Sequence, residues 1–496
     1  MAVVAVLGAL VVALALQLVY GAYWRLYRSP LSQFPGPKLA AVTGWYEFYW
    51  NIWRGGEFFW EIQRMHQKYG PIVRINPWEI HVNDPDWYDE LYAGGAKRRD
   101  KYLWFTAGSG SPYSTFETTP HDVHRLRRAA INPFFSKKSI VAIEPIILTQ
   151  ISSLSSLFRG YLASGKTLDL RVAYSSLTLD IISAYCFGES WNCLKDEAKG
   201  EEWKTTLDVI FENSNLGMHF PWLLTLINML PDSLANPVIR HHRNTRKHVT
   251  AVLKHEDDES QDQSSIFHVL RDGELPAHEK TVQRLSDEGN ILIGAGAETT
   301  AQVLAVISYH LLANPEILRR LRAELDPAMP NGEAGVKWTQ LEQLPYLTAV
   351  LNEGLRMASP ALTRLPRIAP NEELVYGKWS IPAGTPVSMT YYFTHYNSKI
   401  YPSPFEFNPD RWIDATQSGV RLDKYLVPFS KGSRNCAGIN LAWAELYLAA
   451  AVVFRKFDME LYETTRADVD IARDCFVPQP KKGSQGIRVK IVGERS

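Results

Sequence analysis

The first 24 residues divide this chain into a segment that can cross a membrane and a folded body. The stretch MAVVAVLGALVVALALQLVYGAYW has one clearly polar side chain, Gln17, before Arg25. About 20 apolar residues suffice to span the hydrocarbon core of a bilayer. A cleaved signal peptide carries basic residues before its apolar run, and none is found here. Because Arg25, Arg28 and Lys38 follow the run, we predict an uncleaved single-pass anchor with the body in the cytosol.

The chain after the anchor is predicted to form one mainly helical body with a smaller β-rich subdomain. FPGPKLA, residues 34–40, holds two prolines that cannot continue a helix, so residues 1–24 are the transmembrane anchor, 25–40 a basic and Pro-rich hinge, and 41–496 the body. Apolar periodicity predicts helices at 45–69, 284–312 and 341–357, and another after Cys436. Strand patterns appear in PIVRINPWEIHV, between 363 and 395, and in the C-terminal GIRVKIV.

The overall charge and the cysteine spacing exclude several classes of function. Formal net charge is zero, which argues against an electrostatic partner such as nucleic acid. The four cysteines include no C-x-x-C pair, so neither a zinc site nor a disulfide framework is predicted. Their number suits a reducing compartment.

Two glycines and a charged residue interrupt the apolar pattern of the 284–312 helix. In ILIGAGAETTAQ, Gly294 and Gly296 each cost about 1 kcal/mol relative to Ala in a helix. One interpretation is close helix packing with Glu298 on the surface. The other is a groove beside a distorted turn, in which the Thr299 hydroxyl bonds the Ala295 carbonyl and Glu298 supplies protons.

Further along the chain, NEGLR and FEFNPDRW supply a carboxylate and two guanidiniums. Glu353 and Arg356 lie three residues apart on the predicted 341–357 helix, and Arg411 follows in a Pro- and aromatic-rich stretch. On a surface the pair would be worth only about 0.2–0.5 kcal/mol. If the three groups are buried together, they form a structural network, and removing one member leaves a buried charge without its counter-charge.

Cys436 in FSKGSRNCAG is either a small buried hydrophobic residue or a metal ligand. The flanking glycines allow backbone N–H groups to turn toward the sulfur. The helix that follows favours a thiolate, and Arg434 is placed to meet an anion. No second ligand is nearby, so a metal bound here must bring its own equatorial ligands, as haem does. A thiolate on haem iron favours O–O cleavage.

These motifs together resemble the cytochrome P450 family. FSKGSRNCAG fits the pattern F-x-x-G-x-R-x-C-x-G, AGAETT fits the oxygen-side helix, Glu353 and Arg356 fit E-x-x-R, and PDRW resembles P-E-R-F. The resemblance implies a membrane-anchored haem-thiolate monooxygenase with the P450 fold. LSQFPGPKLAAVTGWYEFYW and INPFFSKKS are also similar to members from filamentous-fungal secondary metabolism, especially the trichodiene oxygenase type.

The resemblance also implies a role for each residue that matches a family motif. Cys436 is the expected axial ligand of haem b, with Phe429 packed beside it. Glu298 and Thr299 are the expected acid–alcohol pair. The expected partners of the haem propionates come from three motifs and are Arg434, His124, Arg128 and Arg364. Arg367 is an alternative to Arg364.

The family implies electrons from NADPH through NADPH-cytochrome P450 reductase, a small apolar and terpenoid substrate, and a location in the endoplasmic reticulum membrane. Whether cytochrome b5 also donates electrons stays open. FPWLLTLINMLP, residues 220–231, either dips into membrane lipid or is amphipathic core. Two other functions remain as alternatives: a haem-thiolate isomerase or dehydratase that acts without dioxygen, and a non-enzymatic haem- or steroid-binding protein.

Overall fold

The structure, a computed structural model, describes residues 2–228, 237–254 and 265–495. The first half of the chain is mostly helical, with helices α1–α15 at Ala2–Tyr23, Lys38–Val42, Trp45–Phe48, Phe58–Tyr69, Tyr88–Leu91, Leu103–Thr106, His121–Ile131, Lys137–Ala142, Glu144–Ser164, Leu170–Phe187, Glu197–Glu212, Ser214–His219, Pro221–Asn228, Pro237–Lys254 and Ile266–Asp272. The second half contains α16–α22 at Val282–Ala313, Pro315–Ala328, Trp338–Leu341, Pro345–Ala358, Tyr391–His395, Asp410–Ser418 and Ile439–Lys456.

The described strands are short and form four small sheets. Strands β1–β12 lie at Ile72–Arg74, Ile80–Val82, Asp100–Lys101, Thr167–Asp169, Arg367–Ile368, Leu374–Tyr376, Trp379–Ile381, Pro386–Ser388, Phe457–Leu461, Arg473–Cys475, Val477–Gln479 and Arg488–Glu494. The largest sheet has the order β1-β2-β8-β5-β3, so it joins segments from both ends of the chain. The predicted mainly helical body with a minor, discontinuous β part is confirmed.

Most of the predicted elements are found close to their expected positions. PIVRINPWEIHV forms the antiparallel pair β1 and β2, and the predicted 284–312 and 341–357 helices are α16 and α19. The helix predicted over 45–69 is interrupted at residues 54–57. Ile439 begins α22, three residues after Cys436.

Helix α16 lies at the centre of the body, where it packs against α10, α14, α19 and α22. It is long and apolar enough to cross a membrane, but two thirds of its most apolar window is buried in protein, so it is a core helix. Gly296 marks its closest approach to α10, since a Cβ there would lie 2.8 Å from the Ile182 side chain. The close-packing interpretation of this glycine is therefore confirmed.

The N-terminal helix has a different environment. None of the residues of α1 is buried, and Ala2–Arg28 is also long and apolar enough to cross a membrane. The segment after it is docked on the body. Leu31 and Phe34 are buried, and the backbone N–H of Arg74 donates to the Pro35 carbonyl at 2.7 Å. The Pro-rich segment therefore sets how the body meets the anchor.

Glu353, Arg356 and Arg411 form a buried ion network, as the sequence indicates. Carboxylate oxygen Oε1 of Glu353 lies 2.7 Å from Arg356 Nη2 and 3.1 Å from Arg411 Nε. Trp412 Nε1 donates to Oε2 of the same carboxylate at 3.0 Å. Neither Glu353 nor Arg356 has any exposed surface. The network ties α19 to α21 and to the loop before it.

Replacing Glu353 with Ala should destabilise the protein by about 3–5 kcal/mol, because two buried guanidiniums lose their counter-charge. Denaturant unfolding monitored by circular dichroism measures this change. The matched control is Glu316→Ala, which breaks an i,i+3 pair with Arg319 in which both side chains are 68% exposed. That variant should lose far less stability, because an exposed ion pair contributes little, and equal losses in the two variants would contradict a special role for the network.

Candidate active site

The loop that carries Cys436 is shaped by a close backbone approach. Gly432 has a φ of 72°, and a Cβ there would lie 2.2 Å from the carbonyl oxygen of Ala93. Ser433 N donates to that same carbonyl at 3.2 Å, and Cys436 N donates to the Phe429 carbonyl at 2.9 Å. These contacts fold the loop back on itself and deliver Cys436 just before α22.

Cys436 is exposed although protein surrounds it closely. Its surface is open, yet desolvation raises the pKa of its thiol. Both observations hold if the sulfur faces an internal space that protein encloses and bulk solvent does not fill. The backbone N–H of Gly438 and the Arg128 guanidinium lower the pKa of the thiol, so both favour the thiolate.

A second opening lies in the middle of α16. Ala295 is exposed and Thr299 half-buried, whereas Ala297 and Glu298 are buried. Thr299 Oγ1 donates to the Ala295 carbonyl at 3.0 Å, so the predicted hydrogen bond is confirmed. Ala295 and Thr299 lie about one turn apart, so their side of the helix leaves a groove next to a hydroxyl group.

Glu298 occupies a different environment from Thr299. Its carboxylate oxygen Oε1 lies 3.4 Å from Lys204 Nζ and 3.7 Å from Arg171 Nη2. Within the described residues its Oε2 has no hydrogen-bond partner. Burial raises the pKa of Glu298, while Lys204 and Arg171 oppose that shift. The acid is therefore held in an ion cluster with α10 and α11.

Cationic side chains gather near the cysteine loop, and within the described residues Lys101, Arg128, Arg367 and Arg434 form no ion pair with a carboxylate. His124 shows the effect of this positive charge most clearly. Burial lowers the pKa of its imidazole, and so do the nearby cations Arg434, Lys101, Arg128 and Arg367, to about 2 in all. Burial also lowers the pKa of Arg434 to about 9, with Arg367 as the next cause. Strands β3 and β5 bring Lys101 opposite Arg367. Such a cluster of like charges is costly unless anions bind it.

The backbone contacts of two of these residues link the cluster to the cysteine. Arg128 Nη1 and Nη2 donate to the carbonyls of Asn435 and Cys436 at 2.8 and 3.2 Å. Arg434 Nη1 and Nη2 donate to the carbonyls of Thr118 and Thr119, each at 2.6 Å. The cations are thus held in place by neutral acceptors, which leave their charge uncompensated.

Arg364, in contrast, is fully compensated, which disfavours the role expected for it. Its guanidinium lies 2.6 Å from Glu47 Oε1 and 2.8 Å from Glu79 Oε1. These carboxylates raise the pKa of Arg364 although burial opposes them. Arg367 is equally buried and forms no ion pair within the described residues, and burial lowers its pKa. The contacts favour Arg367 over Arg364 as an anion partner.

The sequence did not single out Lys101 as part of this cluster. It lies in a two-residue strand beside a Gly/Ser/Thr-rich loop, and its Nζ donates to the Phe116 carbonyl and lies 3.8 Å from the Phe116 ring centroid. Burial lowers the pKa of Lys101, and Arg367 and Arg434 lower it further. A lysine inside an apolar neighbourhood was the only local signal.

The chain matches the family model Cytochrome P450 over residues 41–485. It belongs to the cytochrome P450 family. Tryptophan 6-hydroxylase fscE of Fusarium equiseti is 43% identical to this P450 over 476 residues, which cover 94% of this chain and 93% of that protein. N-acetyltryptophan 6-hydroxylase ivoC of Emericella nidulans is 40% identical over 494 residues, covering 97% and 96%. Conidiogenone synthase PchP450 of Penicillium rubens is 43% identical over 474 residues, covering 94% and 95%.

The family and these relatives make the protein a P450 monooxygenase of the kind found in fungal secondary metabolism. It uses haem and takes electrons from NADPH through a reductase. The residues present fit that cofactor: protein closely surrounds an exposed thiol, and within the described residues the buried cations nearby form no ion pair. When bound, haem supplies the dioxygen chemistry, and the chain supplies binding, orientation and electrostatics.

Replacing Arg367 with Gln should lower haem retention, because the anion-binding cluster loses a cation. The ratio of Soret to protein absorbance after dialysis measures retention. Arg364→Gln is the matched comparison, because it leaves Glu47 and Glu79 buried without a cation. It should cost about 3–5 kcal/mol of stability while the folded fraction retains haem. The reverse pattern would restore Arg364 as the propionate partner.

Proposed function

We propose that this P450 inserts one oxygen atom into an apolar secondary metabolite that binds between the Thr299 groove and a cluster of phenylalanines. The observation that carries the proposal is an exposed Cys436 inside a surrounding of uncompensated cations. In this proposal Cys436 is the axial ligand and the Phe429 ring shields it, packed 6.0 Å from Trp443 between centroids.

The haem propionates are proposed to meet the cationic cluster. Arg434 and Arg128 are already oriented by backbone carbonyls, and His124 replaces the usual Trp of the family while keeping a ring N–H. Lys101 and Arg367 join them in place of Arg364. Anions at this position would relieve the mutual repulsion that the shifted pKa values of these side chains report.

Thr299 is proposed to donate a proton in the groove. Its Oγ1 now donates to Ala295, a bond that is easily exchanged for one to a group bound in the groove. Glu298 is the proposed source of that proton, because burial raises its pKa and brings the protonated form nearer to neutral pH. In this proposal the Thr299 hydroxyl passes the proton on in the groove, and the buried Glu298 carboxyl supplies it.

Four phenylalanines are proposed as the walls of the substrate pocket. The Phe476 ring centroid lies 6.3 Å from Phe105, 6.0 Å from Phe116 and 6.1 Å from Phe211. Each ring comes from a different segment of the chain. Aromatic walls favour apolar ligands that carry few polar groups.

Within this apolar class we propose a terpenoid substrate, with an aromatic ring system as the second candidate. Two of the relatives are named as hydroxylases of tryptophan and N-acetyltryptophan, and the stacked arrangement of Phe211 and Phe476, with 12° between their planes, favours flat rings. Expression with a reductase, feeding of both substrate classes and mass spectrometry of the products distinguishes them.

Thr299→Ala should uncouple NADPH oxidation from product formation, because reduced dioxygen then lacks its proton donor. NADPH consumption should persist, while product per NADPH falls about 10²-fold or more and peroxide rises. The reduced-CO spectrum of this variant should stay of the thiolate type. Cys436→Ser is the negative control and should lose that spectrum and all product. Unchanged coupling in Thr299→Ala would exclude the proposed role of the hydroxyl.

We also propose that the body touches membrane lipid next to the anchor. Trp53 and Trp222 are 80% and 57% exposed. A chain of ring contacts connects the two regions, since Phe48 packs at 5.7 Å on Phe220, which packs at 6.3 Å on Trp222. Exposed tryptophans are typical of the membrane interface. Residues 229–231 of the predicted lipid-contacting stretch lie outside the described residues.

We propose that this surface lies against the cytosolic face of the endoplasmic reticulum membrane, with residues 1–24 as the anchor, residues 25–40 as the hinge and residues 41–496 as the catalytic domain. The reductase is anchored in the same membrane in this proposal. Cytochrome b5 is proposed as an optional second donor, and its addition to a reconstituted reductase system tests it.

Quenching by brominated phospholipids tests the lipid contact in the full-length protein. Replacing Trp53 and Trp222 with Phe should reduce the quenched share of the fluorescence from 15 tryptophans. Replacing Trp338, which is 3% exposed, should leave that share unchanged. If the Trp53 and Trp222 variant is quenched as strongly as the wild type, this surface does not meet lipid.

A further inference from the structure

Phe476 has an unusual backbone conformation for a bulky residue. It forms the tip between β10 and β11, where Cys475 pairs with Val477, and its φ is 69°. A side chain with a Cβ rarely adopts this region, and such strain persists only when the surroundings enforce it. A neighbouring group must therefore hold the Phe476 backbone so that its ring stays in the phenylalanine cluster.

The side chain of Asp474 holds the Phe476 backbone in this conformation. Its Oδ1 accepts a hydrogen bond from Phe476 N at 3.0 Å and another from the Thr363 hydroxyl. The Phe476 carbonyl in turn accepts from Leu362 N at 2.8 Å. One carboxylate oxygen thus joins the strained tip to the segment that leads into β5.

The backbone of Asp474 is fixed independently of its side chain. Asp474 N donates to the Gly56 carbonyl at 2.8 Å, and Asn215 Nδ2 donates to the Asp474 carbonyl at 2.7 Å. The residue is 7% exposed. Because the main chain is held by these neighbours, removal of the carboxylate releases the tip while the strand stays in place.

Asp474 is charged at neutral pH in this environment. Burial raises its pKa to about 6, and Glu47 contributes to the same shift, while Thr363, Phe476 N–H and Arg364 lower it. An ionised carboxylate accepts hydrogen bonds more strongly than a neutral one. Its two donors here are the ones that shape the tip.

We infer that Asp474 is a positioning residue for substrate: by holding the Phe476 tip in its left-handed conformation, it sets the width of the pocket and so the size of ring that fits. The inference rests on the proposed function, in which the phenylalanine cluster is the substrate pocket. Asp474 acts through Phe476 and takes no part in the chemistry.

Spectral titration of the full-length holoenzyme with two haem-binding probes tests the inference. Imidazole is small, whereas 4-phenylimidazole must place a ring in the pocket. In Asp474→Ala the Kd of 4-phenylimidazole should change about five- to tenfold, as expected for loss of charge-assisted hydrogen bonds, while that of imidazole stays within about twofold. Asp474→Asn keeps an Oδ1 acceptor but not the charge, so it should restore part of the difference toward the wild-type ratio of the two constants.

Two further variants keep the test decisive. Thr363→Val removes one donor only and should shift the ratio in the same direction, so it carries the test if Asp474→Ala fails to bind haem. Asp180→Ala is the matched control, because Asp180 is also buried and accepts from Cys193 N and Leu194 N. It should leave the ratio unchanged.

Phe476→Ala separates failure of the inference from failure of the proposed pocket. If the ratio shifts in Phe476→Ala but in neither Asp474→Ala nor Thr363→Val, the pocket stands and the role of Asp474 is overturned. If Phe476→Ala also leaves the ratio unchanged, the phenylalanine cluster is not the pocket, and the inference is overturned with it. Equal shifts for both probes in Asp474→Ala indicate general disruption and overturn the inference too.

Discussion

The position of Cys436 depends on the close approach of Gly432 to the carbonyls of Tyr92 and Ala93. A Cβ at Gly432 would lie 2.2 Å from one of these oxygens and 2.3 Å from the other, so only glycine allows the loop to lie there. That contact turns the chain so that Arg434 reaches the carbonyls of Thr118 and Thr119 and Cys436 precedes α22. This backbone contact therefore helps to determine where Cys436 and Arg434 lie.

Buried charge is used in two different ways in this protein. Around Glu353 and around Arg364, carboxylates and guanidiniums match, and the charges join segments that are distant in sequence. Around His124 the cations are held by backbone carbonyls and lack matching carboxylates. Burial of unmatched charge is unfavourable, so the second arrangement supports the proposal that an anionic group binds there. Ion pairing thus distinguishes the two clusters, although both are buried.

The sequence predicted some features well because they depend on short spacings. The 22-residue helix Ala2–Tyr23, the core helix α16 and the Thr299–Ala295 hydrogen bond all follow from local patterns. The cysteine loop was recognisable because several residue types recur at fixed spacing within ten positions. The choice between Arg364 and Arg367 was harder to predict. The two residues are only three positions apart, and the local pattern does not tell which one meets Glu47 and Glu79.

The sequence by itself determined the family and an N-terminal helix that is long and apolar enough to cross a membrane, because each is encoded by residue types that lie close together in the chain. Only the tertiary structure decided that Lys101 lies opposite Arg367, that Glu298 turns toward Lys204, and that Asp474 holds the tip at Phe476. The first two contacts join residues far apart in sequence, and Asp474 also accepts a hydrogen bond from the distant Thr363. They arise from how the small sheets and α16 pack, which no local pattern specifies.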